Sequence, residues 1–276
     1  MAEQETLLIP LYCKAKKKNP ILLDEKAQEI MAQVDYKFSA LDVPAKTCAM
    51  ILLRAKKLDE YARAFLAAHP DSLVLHLGCG LDARYDRLQP KLAEWFDLDL
   101  PDVIELRRTF FDETDRVHMI ASSVTALGWL DRVEGNTRTE PSRNARTEPS
   151  RNGRSTLIIA EGLLMYLSES DVKALILTLH KRFPGSHLIF DAFSKMTADN
   201  AGRHPSLKKT GATLQWGIND PHTIETWAEG IQFQEEWAFS DAPELDYLPF
   251  GLRLGFKASG MFQFARQAHR ILYYTL

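Results

Sequence analysis

Glycines and acids stand at the ends of two apolar segments. The run Ser72–Leu77 ends at Gly78-Cys79-Gly80, and Asp97 and Asp99 close the next apolar run about 20 residues further on. Glycine lets the backbone turn sharply and approach a ligand, and amides exposed at such a turn can meet polar groups of a nucleoside-bearing cofactor. An acid at the end of the following strand can accept hydrogen bonds from ribose hydroxyls. The pattern therefore predicts a site for a nucleoside-bearing cofactor.

The glycines alone leave the identity of that cofactor open. Gly78, Gly80 and Ala83 also fit the dinucleotide pattern G-x-G-x-x-G/A, so NAD is a rival cofactor. Glu161 adds a second feature, because it interrupts the apolar run Leu157–Leu167. A buried carboxylate needs a partner. A cofactor with an ammonium and a sulfonium would supply one, and so would an ion pair within the protein.

These residues need a scaffold, and the chain alternates between strand-like and helix-like segments. Ser168 and Asp171 resemble a helix N-cap, and Val172–Leu179 has the spacing of an amphipathic helix. Such alternation predicts a mainly parallel sheet covered on both faces by helices. The predicted strands are Ser72–Leu77, Glu94–Leu98, Val117–Ala121, Thr156–Ala160, His187–Phe190, Ile231–Phe239 and Ile271–Thr275, and further helices are predicted over Thr47–Ala68, from Pro101 onward and over His222–Glu229.

The chain is predicted to form one domain over residues 1–276. Residues 1–70 would form a helical cap at the ligand edge of the sheet, residues 71–195 the cofactor-binding core, and residues 196–276 the substrate side and the last strands.

One segment differs from the rest of the chain. Residues 138–144 recur as residues 146–152, and nothing from Gly135 to Arg154 is more apolar than alanine. Such a stretch cannot bury enough surface to offset its ordering entropy, so we expect a disordered surface insertion over 135–154. Two interpretations of this segment stay open: an insertion that the fold tolerates, and a basic loop that docks a partner. The segment carries five arginines and two glutamates, so the remainder of the chain has a net charge of −6.

Composition narrows the class of protein. A hydrophobic content of 45% argues against a disordered chain. The net charge of −3 argues against a nucleic-acid partner. Three cysteines without a spacing pattern predict a reducing compartment and no disulfide. No apolar run approaches the roughly 20 residues of a membrane span, so we expect a cytoplasmic protein without a membrane partner. No metal-binding motif occurs, and no metal is expected.

Five segments together resemble the S-adenosylmethionine-dependent leucine carboxyl methyltransferases and their bacterial relatives, the polyketide O-methyltransferases of the tetracenomycin type. In order and spacing they cover roughly residues 5–195, while the tail resembles the family loosely. The segments are Leu7–Tyr12, Gly78–Arg84, Trp95–Leu106, Ile120–Val124 and Ala160–Leu167. The resemblance implies a class I methyltransferase fold, an α/β structure with a seven-stranded, mostly parallel sheet whose last strand is antiparallel.

The resemblance also implies roles for matching positions, as binding residues for S-adenosylmethionine and its product S-adenosylhomocysteine. Gly78, with Cys79 and Gly80 in the same turn, would lie against the methionine part of the cofactor, and Asp99 would bind the ribose. Arg54 would pair with the cofactor carboxylate, and Glu161 would lie near its amino group or sulfonium. Ser122 and Ser123 would flank the adenine. Lys14 matches a less secure basic position, and its lysine neighbours at positions 16–18 favour a solvated run of lysines instead.

The predicted function is an O-methyltransferase acting on a carboxylate or acidic hydroxyl of a small molecule, such as a polyketide-like metabolite. An ionised carboxylate needs no general base, whereas a hydroxyl would. Tyr166 is a candidate for orienting the substrate, with interior packing as the alternative. Two other functions stay open: an NAD(P)-dependent oxidoreductase and a non-catalytic S-adenosylmethionine-binding protein. Threonine in relatives is replaced here by Ala83, and an acid in some relatives by Ser122.

Overall fold

A seven-stranded sheet forms the centre of the molecule. The computed structural model describes residues 2–16, 19–136, 154–200 and 213–276. The strands are β1 (Leu73–Leu77), β2 (Glu94–Asp99), β3 (Val117–Ala121), β4 (Thr156–Ala160), β5 (His187–Phe193), β6 (Gln232–Ala238) and β7 (His269–Thr275).

The strand order is β3-β2-β1-β4-β5-β7-β6. Neighbouring strands from β3 to β5 are parallel, and β7 is antiparallel to both β5 and β6. The fold class implied by the resemblance is therefore confirmed. The order reverses between β1 and β4, and open α/β sheets bind ligands beyond the carboxyl ends of their strands at such a reversal. The strand β5 continues to Phe193, three residues past the predicted end at Phe190.

Helices precede the first strand, connect the strands that follow, and also occur between the last strands of the chain. They are α1 (Ala2–Lys14), α2 (Glu25–Gln33), α3 (Ala45–Ala68), α4 (Arg84–Leu88), α5 (Pro101–Arg107), α6 (Trp129–Asn136), α7 (Glu169–Arg182), α8 (Lys195–Asn200), α9 (Phe250–Ser259) and α10 (Gln263–Arg266). The predicted N-cap is present, because the Ser168 hydroxyl accepts a hydrogen bond from the Asp171 amide at 3.1 Å. The predicted helix at His222–Glu229 is a 3-10 helix over Pro221–Trp227.

Two apolar clusters cover the two faces of the sheet. On one face, α6 and α7 pack through residues such as Leu130 and Leu175. On the other face, α3 packs through residues such as Leu58 and Phe65 against the strands. Because α3 buries residues around most of its circumference, it belongs to this helical layer. The helices α1 and α2, which fall within the cap predicted over residues 1–70, share a separate small core.

The predicted insertion over 135–154 falls mostly outside the described residues. At its borders, Gly135 and Asn136 close α6, and the Arg154 guanidinium donates to Glu94 Oε2 at 2.7 Å. These border residues therefore belong to the folded part of the chain. Among the described helices, none is both long and apolar enough to cross a membrane.

Cys13 and Cys48 form a disulfide, so the prediction of no disulfide is wrong. The pairing arises because α1 packs across the start of α3 and brings the two Cα atoms to 5.2 Å. Cysteine spacing could not reveal this contact, which joins positions 35 residues apart. The expected absence of a disulfide therefore no longer supports the prediction of a reducing compartment. Cys79 is a free, buried thiol.

Reducing the Cys13–Cys48 bond should lower the free energy of unfolding. A crosslink over this loop length restricts the unfolded chain, so we expect a loss of about 2–4 kcal/mol. Urea unfolding with and without a dithiol reductant measures it. The Cys13→Ala/Cys48→Ala double variant is the control, since reductant should leave its unfolding midpoint unchanged. A wild-type midpoint that ignores the reductant, after thiol titration has shown complete reduction, would contradict the prediction.

Candidate active site

A cavity of about 580 Å³ opens at the carboxyl edge of the sheet, where the strand order reverses. This volume is typical of small-molecule sites. All ten residues that the sequence singled out line the cavity: Lys14, Arg54, Gly78, Cys79, Gly80, Asp99, Ser122, Ser123, Glu161 and Tyr166. The fold therefore brings Lys14 of α1, Arg54 of α3 and residues at the ends of four strands to one place.

The turn after β1 requires its glycines. Gly78 has φ +64°, and a Cβ there would lie 3.0 Å from Leu163 Cδ1. Gly80 has φ +50°, and a Cβ there would lie 3.2 Å from Leu7 of α1. Both positions favour glycine in backbone conformation and in space. The helix α1 therefore lies directly over this turn.

The amides of this turn are used within the protein. The amides of Gly78 and Cys79 donate to the Leu98 carbonyl at 2.8 and 3.2 Å, and the Gly80 amide donates to Asp99 Oδ2 at 2.7 Å. The expectation that these amides meet a cofactor is therefore wrong, because the neighbouring strand end satisfies them. The Cys79 thiol packs against Ile104 and Met119, and burial raises its pKa.

A side chain at Gly78 should damage both the turn and the cavity. We expect Gly78→Ala to cost about 1–3 kcal/mol of stability, because alanine is strained at this φ and its Cβ presses on Leu163. Binding of S-adenosylhomocysteine, followed by titration calorimetry, should weaken at least about tenfold, which corresponds to about 1.4 kcal/mol. Gly251→Ala in α9 is the matched control, because its Cβ would meet no atom within 4 Å. Equal behaviour of the two variants would contradict this account.

The two acids of β2 have different surroundings. Asp99 is half-buried at the cavity, where its Oδ1 accepts from the Leu100 amide at 2.7 Å. Burial raises the pKa of Asp99. Asp97 is fully buried and accepts from Trp95 Nε1 and Arg107 Nη2. Asp99 is thus the acid that faces the cavity.

Arg107 is a residue that the sequence reading missed. Its Nη1 donates to the carbonyls of Gly80 and Asp82, both at 2.9 Å, and so holds the loop after the glycine turn. The side chain is buried. In the sequence, Arg107 stands out only as a basic residue in the last turn of α5, a position that the helix dipole favours for any cation.

Glu161 lies at the centre of a buried ion network. Its Oε1 is 3.1 Å from Arg54 Nη2 and 3.6 Å from Lys14 Nζ, and its Oε2 accepts a short hydrogen bond from Arg84. Burial alone would raise the pKa of Glu161, but these three cations outweigh it and lower the pKa to about 2. A carboxylate in this position stays ionised at neutral pH.

Lys14 belongs to this network. Its side chain is 3% exposed and donates to Asp82 Oδ1 at 3.0 Å. The alternative of a solvated lysine run is therefore wrong for Lys14, because α1 packs over the glycine turn and turns this residue inward. A cation buried among acids has a defined position, unlike one on a solvated surface.

The loop after the glycine turn supplies further charges that the sequence reading missed. Arg84 is fully buried and its Nε donates to Asp59 Oδ1 at 2.7 Å, while Arg87 bridges Asp59 and Asp82. Asp82 Oδ2 is buried and receives no well-oriented hydrogen bond from the described residues. The sequence signal was the charged run Asp82–Arg87 directly after the glycines.

The remaining predicted residues lie on opposite sides of the glycine turn. Ser122 and Ser123 follow β3, and the Ser122 amide donates to the Asp99 carbonyl at 2.9 Å. Tyr166 ends a 3-10 helix after β4 and is half-buried. Burial raises the pKa of Tyr166, and the Arg54 charge opposes this rise. The cavity therefore has hydroxyl groups on its β3 side and charged and aromatic groups on its β4 side.

Comparison with known proteins places the chain in a family. Residues 6–180 match the leucine carboxyl methyltransferase family. The chain is 39% identical to the tetracenomycin polyketide synthesis O-methyltransferase TcmP of Streptomyces glaucescens, over 98% of this chain and 96% of that protein. It is 28% identical to the S-adenosyl-L-methionine-dependent methyltransferase dpfgK of Gibberella zeae, over 84% of this chain and 80% of that protein. The similarity to TcmP extends beyond residue 195, where the sequence reading expected a loose resemblance.

Among solved structures, a DUF574 family protein of Streptomyces avermitilis superposes with a TM-score of 0.57 at 13% identity, over 100% of this chain and 99% of that one. A likeness at this low identity concerns the fold. The family match and the identity to TcmP concern the sequence itself. On that evidence, the chain belongs to the leucine carboxyl methyltransferase family.

Proposed function

We propose that this chain transfers the methyl group of S-adenosylmethionine to a carboxylate oxygen of a small apolar molecule and so forms a methyl ester. Its family membership makes it an S-adenosylmethionine-dependent O-methyltransferase, as the sequence predicted. The alternatives of an NAD(P)-dependent oxidoreductase and a non-catalytic binding protein are therefore set aside. The choice of a carboxylate and the roles of individual residues are our proposal.

The residues of the cavity fit the parts of this cofactor. Asp99 would accept from the ribose hydroxyls, and Arg54 would bind the carboxylate. Glu161 would accept from the amino group, and so would Asp82 Oδ2, which lies 3.3 Å from Arg84 Nη2 but accepts no hydrogen bond from the described residues. The missing Cβ of Gly78 leaves room for close approach. When bound, the cofactor supplies an electrophilic methyl group on a sulfonium.

The other cofactor contacts follow from the strand order. Ser122 and Ser123, on the β3 side of Asp99, would flank the adenine, with the backbone of Cys79 and Gly80 beneath the cofactor. Lys14 would hold Glu161 and Asp82 in place, since it lies within 3.6 Å of both acids.

The protonation states of the residues that line the cavity support our proposal of a carboxylate acceptor. The cations around Glu161 and Asp82 keep the pKa of both acids low, so neither is a good base. His76 is buried with its nitrogens facing Asp97 at 3.0 Å and Asp82 at 3.8 Å. Asp99 and Asp102 also line the cavity, but they lie at the end of β2 and the start of α5, where we place the ribose rather than the acceptor, so we assign no base to a hydroxyl acceptor. An acceptor that arrives ionised needs none.

The wall beside Tyr166 is apolar and supports an apolar acceptor. Leu163, Met165, Leu167 and Phe193 line the cavity after β4 and β5. The name of the TcmP relative refers to polyketide synthesis, which agrees with an apolar, polyketide-like acid as the acceptor. We propose that Tyr166 orients the acceptor carboxylate here. Alignment at near-attack distance and exclusion of water are the main contributions such a site makes to methyl transfer.

A matched pair of acceptors tests the proposal. The protein is incubated with methyl-labelled S-adenosylmethionine and either a polycyclic aromatic acid or the corresponding phenol. We expect label in the acid, and release of labelled methanol on mild alkaline treatment, because esters hydrolyse and aryl ethers do not. Label retained after alkali, or turnover of the phenol alone, would favour the acidic hydroxyl instead.

A further inference from the structure

His269, the first residue of β7, forms a buried pair with Asp191 of β5. The two residues are 78 positions apart, and His269 Nε2 lies 2.8 Å from Asp191 Oδ2. The imidazole side chain is 9% exposed. Its ring stacks on Phe193 with a centroid distance of 4.1 Å and contacts Phe239 at 4.8 Å. Two aromatic contacts and the hydrogen bond at Nε2 thus hold the ring in place.

The surroundings define the protonation of His269. Burial lowers its pKa, and the charged groups that act on it are Asp191 of β5, Arg54 of α3 and Glu161 after β4. Its Nδ1 is buried and has no hydrogen-bond partner among the described residues. A neutral ring with its proton on Nε2 satisfies these conditions, because Asp191 is the acceptor at that nitrogen.

Asp191 joins His269 to the cofactor side of the cavity. Its Oδ2 also accepts from Arg54 Nη1 at 2.8 Å, and its Oδ1 accepts from the Gly162 amide at 2.6 Å. Asp191 is fully buried. One carboxylate therefore connects β7, the helix that carries Arg54, and the turn that follows Glu161.

We propose that His269 is a positioning residue for cofactor binding. Its Nε2–H fixes the Asp191 carboxylate, and Asp191 in turn holds the Arg54 guanidinium beside the cavity. His269 is not among the described residues that line the cavity, so it acts through Asp191. Its stacking on Phe193, which does line the cavity, supports the apolar wall at the same time. This inference rests on the proposed role of Arg54 in binding the cofactor carboxylate.

Two substitutions separate positioning from packing. His269→Gln keeps an N–H donor near the position of Nε2, whereas His269→Leu keeps most of the volume without a donor. A hydrogen bond to a charged group is worth enough that we expect about a tenfold rise in the KM for S-adenosylmethionine and in the Kd of S-adenosylhomocysteine for His269→Leu. The kcat at saturating cofactor should stay within about twofold, since the interaction serves binding. His269→Gln should restore most of the affinity.

A double variant tests the route through Arg54. Arg54→Lys should weaken S-adenosylhomocysteine binding, and adding His269→Leu to it should cost little more, because residues in one network are not additive. If His269→Leu does not fold, His269→Asn replaces it, since its shorter amide does not reach Asp191.

Several outcomes would overturn the inference. They are an unchanged Kd in the donor-lacking variant, a fall in kcat without a change in KM, fully additive losses in the double variant, or no rescue by His269→Gln. Failure of the wild-type protein to bind S-adenosylhomocysteine would instead contradict the proposed function, so the two failures can be told apart.

Discussion

Replacing Asp99 with alanine is expected to weaken S-adenosylhomocysteine binding at least about 100-fold. The carboxylate would lose two hydrogen bonds from ribose hydroxyls, and bonds to a charged acceptor contribute about 1.5–3 kcal/mol each. The substitution also leaves the amides of Gly80 and Leu100 without their acceptor, so the glycine turn loses its fixed position. Titration calorimetry measures the affinity directly.

Two further variants, one conservative and one a control, are needed to interpret that measurement. Asp99→Asn keeps one carbonyl acceptor and the shape of the side chain, so it should retain part of the affinity. Asp112→Ala removes an exposed acid on the loop before β3 and should bind S-adenosylhomocysteine like the wild-type protein. If Asp99→Ala binds within about threefold of the wild-type protein, a change of under 1 kcal/mol, Asp99 does not bind the ribose. If Asp97→Asn alone abolishes binding in a folded protein, the role belongs to Asp97.

Replacing Glu161 with glutamine should lower the free energy of unfolding by about 3–5 kcal/mol, the usual cost of removing one partner from a buried ion pair. The side chain is 7% exposed and lies within 3.6 Å of Lys14 and Arg54. Glutamine keeps the volume of the side chain but removes the negative charge that balances the buried cations Lys14, Arg54 and Arg84. Urea unfolding of the two proteins at neutral pH gives the difference. Cofactor binding should weaken as well.

The same variant should change the dependence of stability on pH. The pKa of Glu161 is lowered to about 2 in the folded protein, so the unfolded chain takes up this proton first as the pH falls. Its contribution is complete above the unfolded pKa of about 4.3 and is lost as the pH falls from there to about 2. Below pH 4.3, stability should therefore fall less steeply in Glu161→Gln than in the wild-type protein.

An exposed acid on α3 is the control for both measurements. Glu60→Gln removes a carboxylate that is 43% exposed and pairs with Lys56, and such surface pairs contribute at most about 1 kcal/mol. If Glu161→Gln is no less stable than Glu60→Gln, the network around Glu161 does not stabilise the fold.

Local sequence determined most of the elements. The apolar runs at Val117–Ala121 and Thr156–Ala160 are strands with those bounds, and Ser168 caps its helix as predicted. These features depend on residues within a few positions of one another. The acids that face the cavity could also be predicted, because the carboxyl ends of parallel strands meet at one edge of the sheet.

The partners of those residues were decided by the tertiary structure. Arg54 meets Asp191 across 137 positions and Glu161 across 107, and Lys14 meets Asp82 across 68. The Cys13–Cys48 disulfide and the Asp191–His269 pair are of the same kind. No local pattern encodes such contacts, since they depend on how helices and strands pack. The sequence alone therefore determined the family, the strands and the acids of the cavity, while packing decided which charges hold them, because a buried charge is stable only beside a partner that the fold delivers.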